Sequence, residues 1–261
     1  MRVTFRLRNA IVAWWLPASI LGAWEGAAWL RLLNPLFFPA PSAILAAGWN
    51  MARSGEWMTE LLSTLQRMFQ GAGLGVCAGF ALGLLMGVSA PLRTSFEPAV
   101  SVLNSTPKLA LMPLLLLIVG VGETARLVPI FLTGFVTLSM QTLDAVRGVD
   151  YAYVEMARNY GARSRDLMWR VYLPACSPQV FTGLRLAAGR ALVITISVEL
   201  LGAPDGLGRV IWMAWQTLAT EKLYIGIFTT SLLGLAFHQG LAYLERLAAP
   251  WAAAKARGQT G

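Results

Sequence analysis

The chain has 261 residues, 56% of them apolar and only 13% charged, about half the charged share of a soluble domain, and its mean hydropathy is +0.59. So few charges cannot coat a soluble core of this size, which argues against a soluble enzyme, a disordered regulator or a disulfide-stapled secreted module. The net charge is +8, but the basic residues flank apolar runs, so they read as membrane topology rather than as a nucleic-acid face.

The expected fold is all-α, with about six membrane-crossing helices. The first run is 10–30, charged only at Glu25. Arg2, Arg6 and Arg8 before it would also suit a signal peptide. Against that, the run is long, holds Trp14, Trp15 and Pro17, and shows no small-x-small cleavage site. Pro39 and Pro41 then break the chain, and Ser42 is expected to cap a short helix through Met51. Leu61, Leu62, Leu65, Met68 and Phe69 recur at helical spacing and lead into the second run, 69–90.

That run carries Gly71, Gly75, Gly79, Gly83 and Gly87, a ridge along one helix face. Such a ridge lets a second helix approach to backbone contact. It serves either packing within one subunit or a dimer contact. Gly73, Gly75 and Ala78 imitate a dinucleotide fingerprint, but no strand precedes them and the run is uncharged.

The third run, 98–122, is interrupted by Asn104-Ser105-Thr106-Pro107-Lys108. Pro107 removes a backbone donor and should kink or break the helix. Lys108 has two readings. It snorkels to the inner headgroups, or it stands near the midplane and lines a polar path with Asn104, Ser105 and Thr106. The fourth run is 127–143, and Gln141 near its end is another candidate for that path.

A long loop, 144–178, follows. Tyr151–Tyr160 reads as a short helix ended by Gly161 in the left-handed conformation. Ser164 is expected to cap a second short helix, which Pro174 stops. Such a pair suits a groove on a soluble partner or a membrane surface pinned by arginines. The fifth run, 180–202, holds Arg185 and Arg190, expected to snorkel, and Glu199 near its other end. Val210, Ile211, Met213, Ala214, Trp215 and Leu218 point to a helix lying at the outer surface. The sixth run is 223–244, with the lone His238 inside it. Residues 1–9 and 251–261 are left as terminal segments around a 10–250 membrane domain. Cys77 in an apolar run and Cys176 in a polar loop are not expected to pair.

Twelve Lys and Arg fall on the side that holds the N-terminus and six on the other, which places both termini inside. The three lysines follow Pro107, Glu221 and Ala254, so none ends a phosphate loop. No metal-ligand cluster stands out. Any uphill work must therefore be driven by another chain or by an ion gradient. Glu25 and Glu199 are the intramembrane acids an ion-driven transporter would need. An intramembrane enzyme is poorly supported, with one histidine and no paired acids in the spans.

The 144–178 loop reads Glu155-Met156-Ala157, three residues, Gly161, nine residues, Val171-Tyr172-Leu173-Pro174. This resembles the Glu-Ala-Ala loop of ATP-binding-cassette importer permeases, with Met156 and Val171 as mild departures. Trp24-Glu25, Pro39-Ala40-Pro41-Ser42, Pro113 to Gly122-Glu123, Thr182-Gly183-Leu184-Arg185 and Glu199-Leu200 with Gly206-Leu207-Gly208 resemble the nitrate, sulfonate, taurine and bicarbonate branch. The resemblance covers about residues 10–250. It implies the type I importer permease fold in a bacterial inner membrane. It also implies a homodimer of permeases, two cytoplasmic ATPase subunits and a periplasmic or lipid-anchored solute-binding protein. ATP and Mg would reside on the ATPase, with no cofactor on this chain. Glu155, Ala157, Arg158, Tyr160, Gly161, Ala162 and Arg163 would form the coupling helix and turn that dock on the ATPase. Asn104, Ser105, Thr106, Lys108, Gln141 and Glu199 are the candidates for the path of a small anionic solute.

Overall fold

The computed structural model describes residues 2–251, so the expected tail after Trp251 lies outside the described residues. The elements are α1 (Arg2–Trp29), α2 (Pro41–Arg53), α3 (Glu56–Val88), α4 (Ala90–Ser105), a 3-10 turn (Lys108–Leu111), α5 (Met112–Ile118), α6 (Glu123–Arg147), α7 (Tyr151–Asn159), α8 (Ser164–Leu167), a π turn (Met168–Tyr172), α9 (Leu173–Leu200), α10 (Leu207–Gln216) and α11 (Thr220–Ala248). Among the described residues there is no strand. Helices α3, α6, α8 through α9, and α11 are each long and apolar enough to cross a membrane, and α4 with 108–118 adds a broken span. Helix α1 covers the first expected run with 28 residues.

The glycine ridge of α3 decides the packing. A Cβ at Gly75, Gly79 or Gly83 would collide with the backbone oxygens of Phe131, Phe135 and Ser139 on α6, and one at Gly71 would lie 2.8 Å from the Ile130 side chain. Only glycine permits this approach, in which close packing replaces the missing hydrophobic drive between helices in lipid. The ridge therefore serves packing within the subunit. Met68 and Ala72 of α3, Ile130 of α6, and Ala191 and Leu192 of α9 close one core cluster. Met86, Val100, Val136 and Leu143 close a second at the other end of α3. Ile44 and Met51 of α2 pack with Val210 of α10 and Ile225 of α11. Leu74, Leu117 and Leu232 are exposed, as side chains that face lipid should be.

Several expectations change. The second span starts thirteen residues early, because the amphipathic stretch from Glu56 is continuous with it. The third run is no straight crossing. Helix α4 begins at Ala90, Thr106 is extended ahead of Pro107, and the two halves meet at 88°. The long loop shrinks at both ends, since α6 continues to Arg147 and the next crossing begins at Ser164. Pro174 does not stop a helix. The N–H of Leu173 bonds back five residues to Met168, and this π register accommodates a proline that has no N–H to give. Cys176 consequently lies buried within α9, not in a polar loop. Ser164 is the first residue of α8 rather than its cap. The carboxylate of Asp166 accepts the N–H of Arg163 at 3.2 Å instead.

Ser42 likewise does not cap its own helix. Pro41 opens α2, and Ser42 donates its N–H and its hydroxyl to the two carboxylate oxygens of Glu25, at 3.0 and 2.7 Å. The indole N–H of Trp29 reaches the same carboxylate at 2.7 Å. Glu25 thus acts as an N-terminal anion for α2, placed from α1.

Candidate functional site

The first candidate site is α7 with the turn behind it. Asp150 caps the helix by accepting the Ala152 N–H at 2.9 Å. Gly161 closes it at φ +81°. Its N–H bonds to Arg158 O at 2.8 Å, and the N–H of Ala162 bonds to Ala157 O at 3.0 Å. These two bonds make a Schellman ending, which needs a left-handed residue and so favours glycine. Val154 is buried beneath α7, and Leu167 is buried on α8. The opposite face is open. Ala152, Glu155, Met156, Asn159 and Tyr160 line a shallow depression along one helical stripe. Met156 is 57% and Tyr160 88% exposed. Arg158 and Arg163 are exposed at the rim, while Ala157 and Ala162 are half-buried. A short, doubly capped helix with an apolar and charged outer face can transmit a push without bending.

The second site is a cavity of about 620 Å³ at the break between α4 and α5. Asn104 and Lys108 line it, with Thr133 and Thr137 of α6 and Arg185 and Arg190 of α9. Lys108 Nζ donates to Asn104 O at 2.7 Å, so the lysine folds back over the end of α4. Thr133 stands ten residues into α6, and Arg190 stands ten residues before the end of α9. Each is about 15 Å along its helix at 1.5 Å per residue, close to midplane depth. Lys108 faces the same space as these two residues.

The other path candidates lie elsewhere. The hydroxyls of Ser105 and Thr106 donate to Ser101 O and Val102 O of their own helix. Gln141 packs over Gly183 at the α6–α9 contact. Glu199 is fully enclosed. Its carboxylate accepts from Arg67 at 2.5 Å, from the Thr64 hydroxyl at 3.0 Å and from the Gly208 N–H at 2.8 Å. It belongs to the interior packing of α3, α9 and α10, because an unpaired buried carboxylate there would be costly.

Arg185 and Arg190 do not snorkel away from the bundle. Arg185 pairs with Glu245 of α11, and Arg190 donates to the Thr137 hydroxyl at 3.4 Å. Sequence reasoning missed Arg190, Thr133 and Thr137 as cavity residues. Two arginines inside one apolar run, and two threonines four apart on the crossing before it, were the available signals.

Residues 75–249 match the family described as binding-protein-dependent transport system inner membrane component. The chain belongs to this family. The match takes in α7 and every residue of the cavity. The permease is 30% identical over 239 residues to the taurine transport system permease protein TauC of Escherichia coli (strain K12), covering 90% of this chain and 87% of that protein. It is 30% identical over 236 residues to the putative aliphatic sulfonates transport permease protein SsuC of Bacillus subtilis (strain 168), covering 90% and 86%. It is 29% identical over 225 residues to the nitrate import permease protein NrtB of Synechococcus elongatus, covering 81% of each. Among solved structures, a chain of the inward-facing MetNI methionine ABC transporter superposes with a TM-score of 0.65 at 19% identity, covering 72% of this chain and 94% of that chain. That likeness shows the fold. The permease is therefore a multi-pass membrane protein and a transport subunit of the importer type.

Proposed function

We propose that this permease carries a small anionic solute inward, driven by ATP hydrolysis on partner chains that grip α7. The working assembly is two copies of the permease, two ATPase subunits on the side of α7, and an extracytoplasmic binding protein on the other side. ATP and Mg reside on the ATPase. Both chain termini lie on the α7 side, in keeping with the two-to-one excess of Lys and Arg there. The solute class follows the relatives, whose printed names concern taurine, aliphatic sulfonates and nitrate. Asn104 and Lys108 would line its path, with Ser105 and Thr106 at the break beside them.

One observation carries the reading. Helix α7 leads through its Schellman turn into a helical stretch that continues from Ser164 to Leu200. Arg190 lies 26 residues along that helix, about 39 Å at 1.5 Å per residue. A displacement of α7 is therefore passed along this continuous helical stretch to a wall of the cavity, which is how two sites become coupled. An ion-gradient mechanism is not favoured. Its candidate acids are both engaged, Glu25 by Ser42 and Trp29, and Glu199 by Arg67, Thr64 and Gly208.

The test is stimulation of the partner ATPase by loaded binding protein in liposomes. Gly161→Pro and Glu155→Arg should abolish stimulation while the permease still inserts. Normal stimulation in both variants would remove α7 from the coupling role.

A further inference from the structure

Lys108 and Arg190 reach one cavity from different elements, and neither forms an ion pair among the described residues. Among the described residues Lys108 is bonded only to a main-chain oxygen and Arg190 only to a threonine hydroxyl, so no carboxylate offsets either cation. Arg185 lines the same space, but Glu245 of α11 neutralises it. The cavity thus holds an excess of two positive charges at midplane depth. Arg190 is exposed along the wall and Lys108 is half-buried, and two uncompensated cations facing one space repel each other. Such an arrangement favours an anion.

We propose that Lys108 and Arg190 together grip the oxyanion head of the solute inside the permease itself, and that Glu245 sets the strength of this grip by neutralising Arg185. Thr137 acts as a positioning residue, holding the guanidinium toward the cavity. The inference rests on the import reading above and adds a second point of solute selection, beyond the binding protein. The recognised chemistry is a sulfonate-like or phosphate-like oxyanion. A lipid headgroup offers the same chemistry, but it would have to leave the interface by about 15 Å to reach Arg190. The solute is therefore the occupant.

The site makes a prediction of sign that mere packing does not. Glu245→Gln removes a carboxylate and releases Arg185, so it should tighten anion binding. The test uses the complex of permease and ATPase in phosphatidylcholine nanodiscs. The probes are methanesulfonate and its neutral near-isostere dimethyl sulfone, followed by titration calorimetry. Methanesulfonate should bind more weakly as salt rises, and dimethyl sulfone should not bind. Lys108→Gln and Arg190→Gln should each weaken methanesulfonate at least fivefold. Arg190→Lys should recover part of the loss, which a misfolded variant would not. Glu245→Gln should strengthen binding at least threefold. Equal binding of the two probes, or no strengthening by Glu245→Gln, overturns the proposal. In nanodiscs that contain phosphatidylglycerol the affinity should be unchanged. Competition by that lipid would assign the cavity to a headgroup and overturn the proposal as well. ATPase stimulation by loaded binding protein is measured on the same preparation. If it is intact while both probes bind alike, the import reading stands and the anion site alone fails.

Discussion

Arg67 and Glu199 are 132 residues apart in the chain and 2.5 Å apart in the structure. The Arg67 side chain is 4% exposed and that of Glu199 is not exposed at all. Arg67 also reaches Glu123 at the start of α6 and Asp205 in the turn before α10. Around them, Thr64 and Glu60 of α3 and Glu199 of α9 accept the N–H groups of Leu207, Gly206 and Gly208. The first turn of α10 is thus held by side chains from two other helices. A Cβ at Gly208 would strike the backbone oxygen of Ile196, so the contact requires glycine.

Arg67→Met should destabilise the permease by about 3–5 kcal/mol, because it leaves Glu199 buried without a cation. Glu199→Gln should cost less, since Arg67 keeps Glu123 and Asp205. Arg67→Met combined with Glu199→Gln should recover much of the loss. Thermal unfolding in detergent reads all three. Equal, small effects would mean that the cluster is not buried in the membrane-embedded protein.

Gly79→Leu should destabilise by at least about 1–3 kcal/mol, because any side chain there meets the Phe135 backbone. Gly73 has nothing within 4 Å of a Cβ, so Gly73→Ala should be neutral or stabilising by about 0.5–1 kcal/mol. Unfolding temperatures measure the difference. Similar values for the two variants would place the α3 ridge against lipid.

The contrast between these two regions shows what a sequence can display. The ridge was legible because its spacing is local, yet the helix it faces was not, since Gly79 and Phe135 are far apart in the chain. The break at Pro107 was legible from the missing N–H, but not the 88° bend it produces. Gly161 was legible because a helix end and its left-handed residue are neighbours. The Arg67 cluster was not, because its five charged groups come from four separate elements. Arg190 read as a snorkelling residue, since only the fold shows that Lys108 and Thr137 share its cavity.

Gly161 sits at φ +81° in open space, with nothing within 4 Å of a Cβ. The constraint is therefore conformational, not steric. Gly161→Asn, which tolerates this region, should keep most of the ATPase stimulation. Gly161→Val should lose it, because the left-handed conformation costs a side chain about 1–2 kcal/mol. Equal activity of the two would show that the turn needs no left-handed residue.

Glu25 offers a test between mechanisms. Glu25→Ala removes both acceptors of Ser42 and should loosen α2. Amide exchange over 41–53 should rise while uptake persists. Lost uptake with unchanged exchange would instead mark Glu25 as a carrier of the driving ion.

Import through this permease is proposed to draw on ATP on the α7 side. The most direct measurement is uptake of labelled taurine, methanesulfonate and nitrate into proteoliposomes that hold the permease, its ATPase partner and external binding protein. Uptake of at least one solute should require ATP enclosed with α7, should survive collapse of proton and sodium gradients, and should vanish with Glu155→Arg. Uptake that proceeds without ATP and follows an imposed ion gradient would instead make the permease an ion-driven transporter.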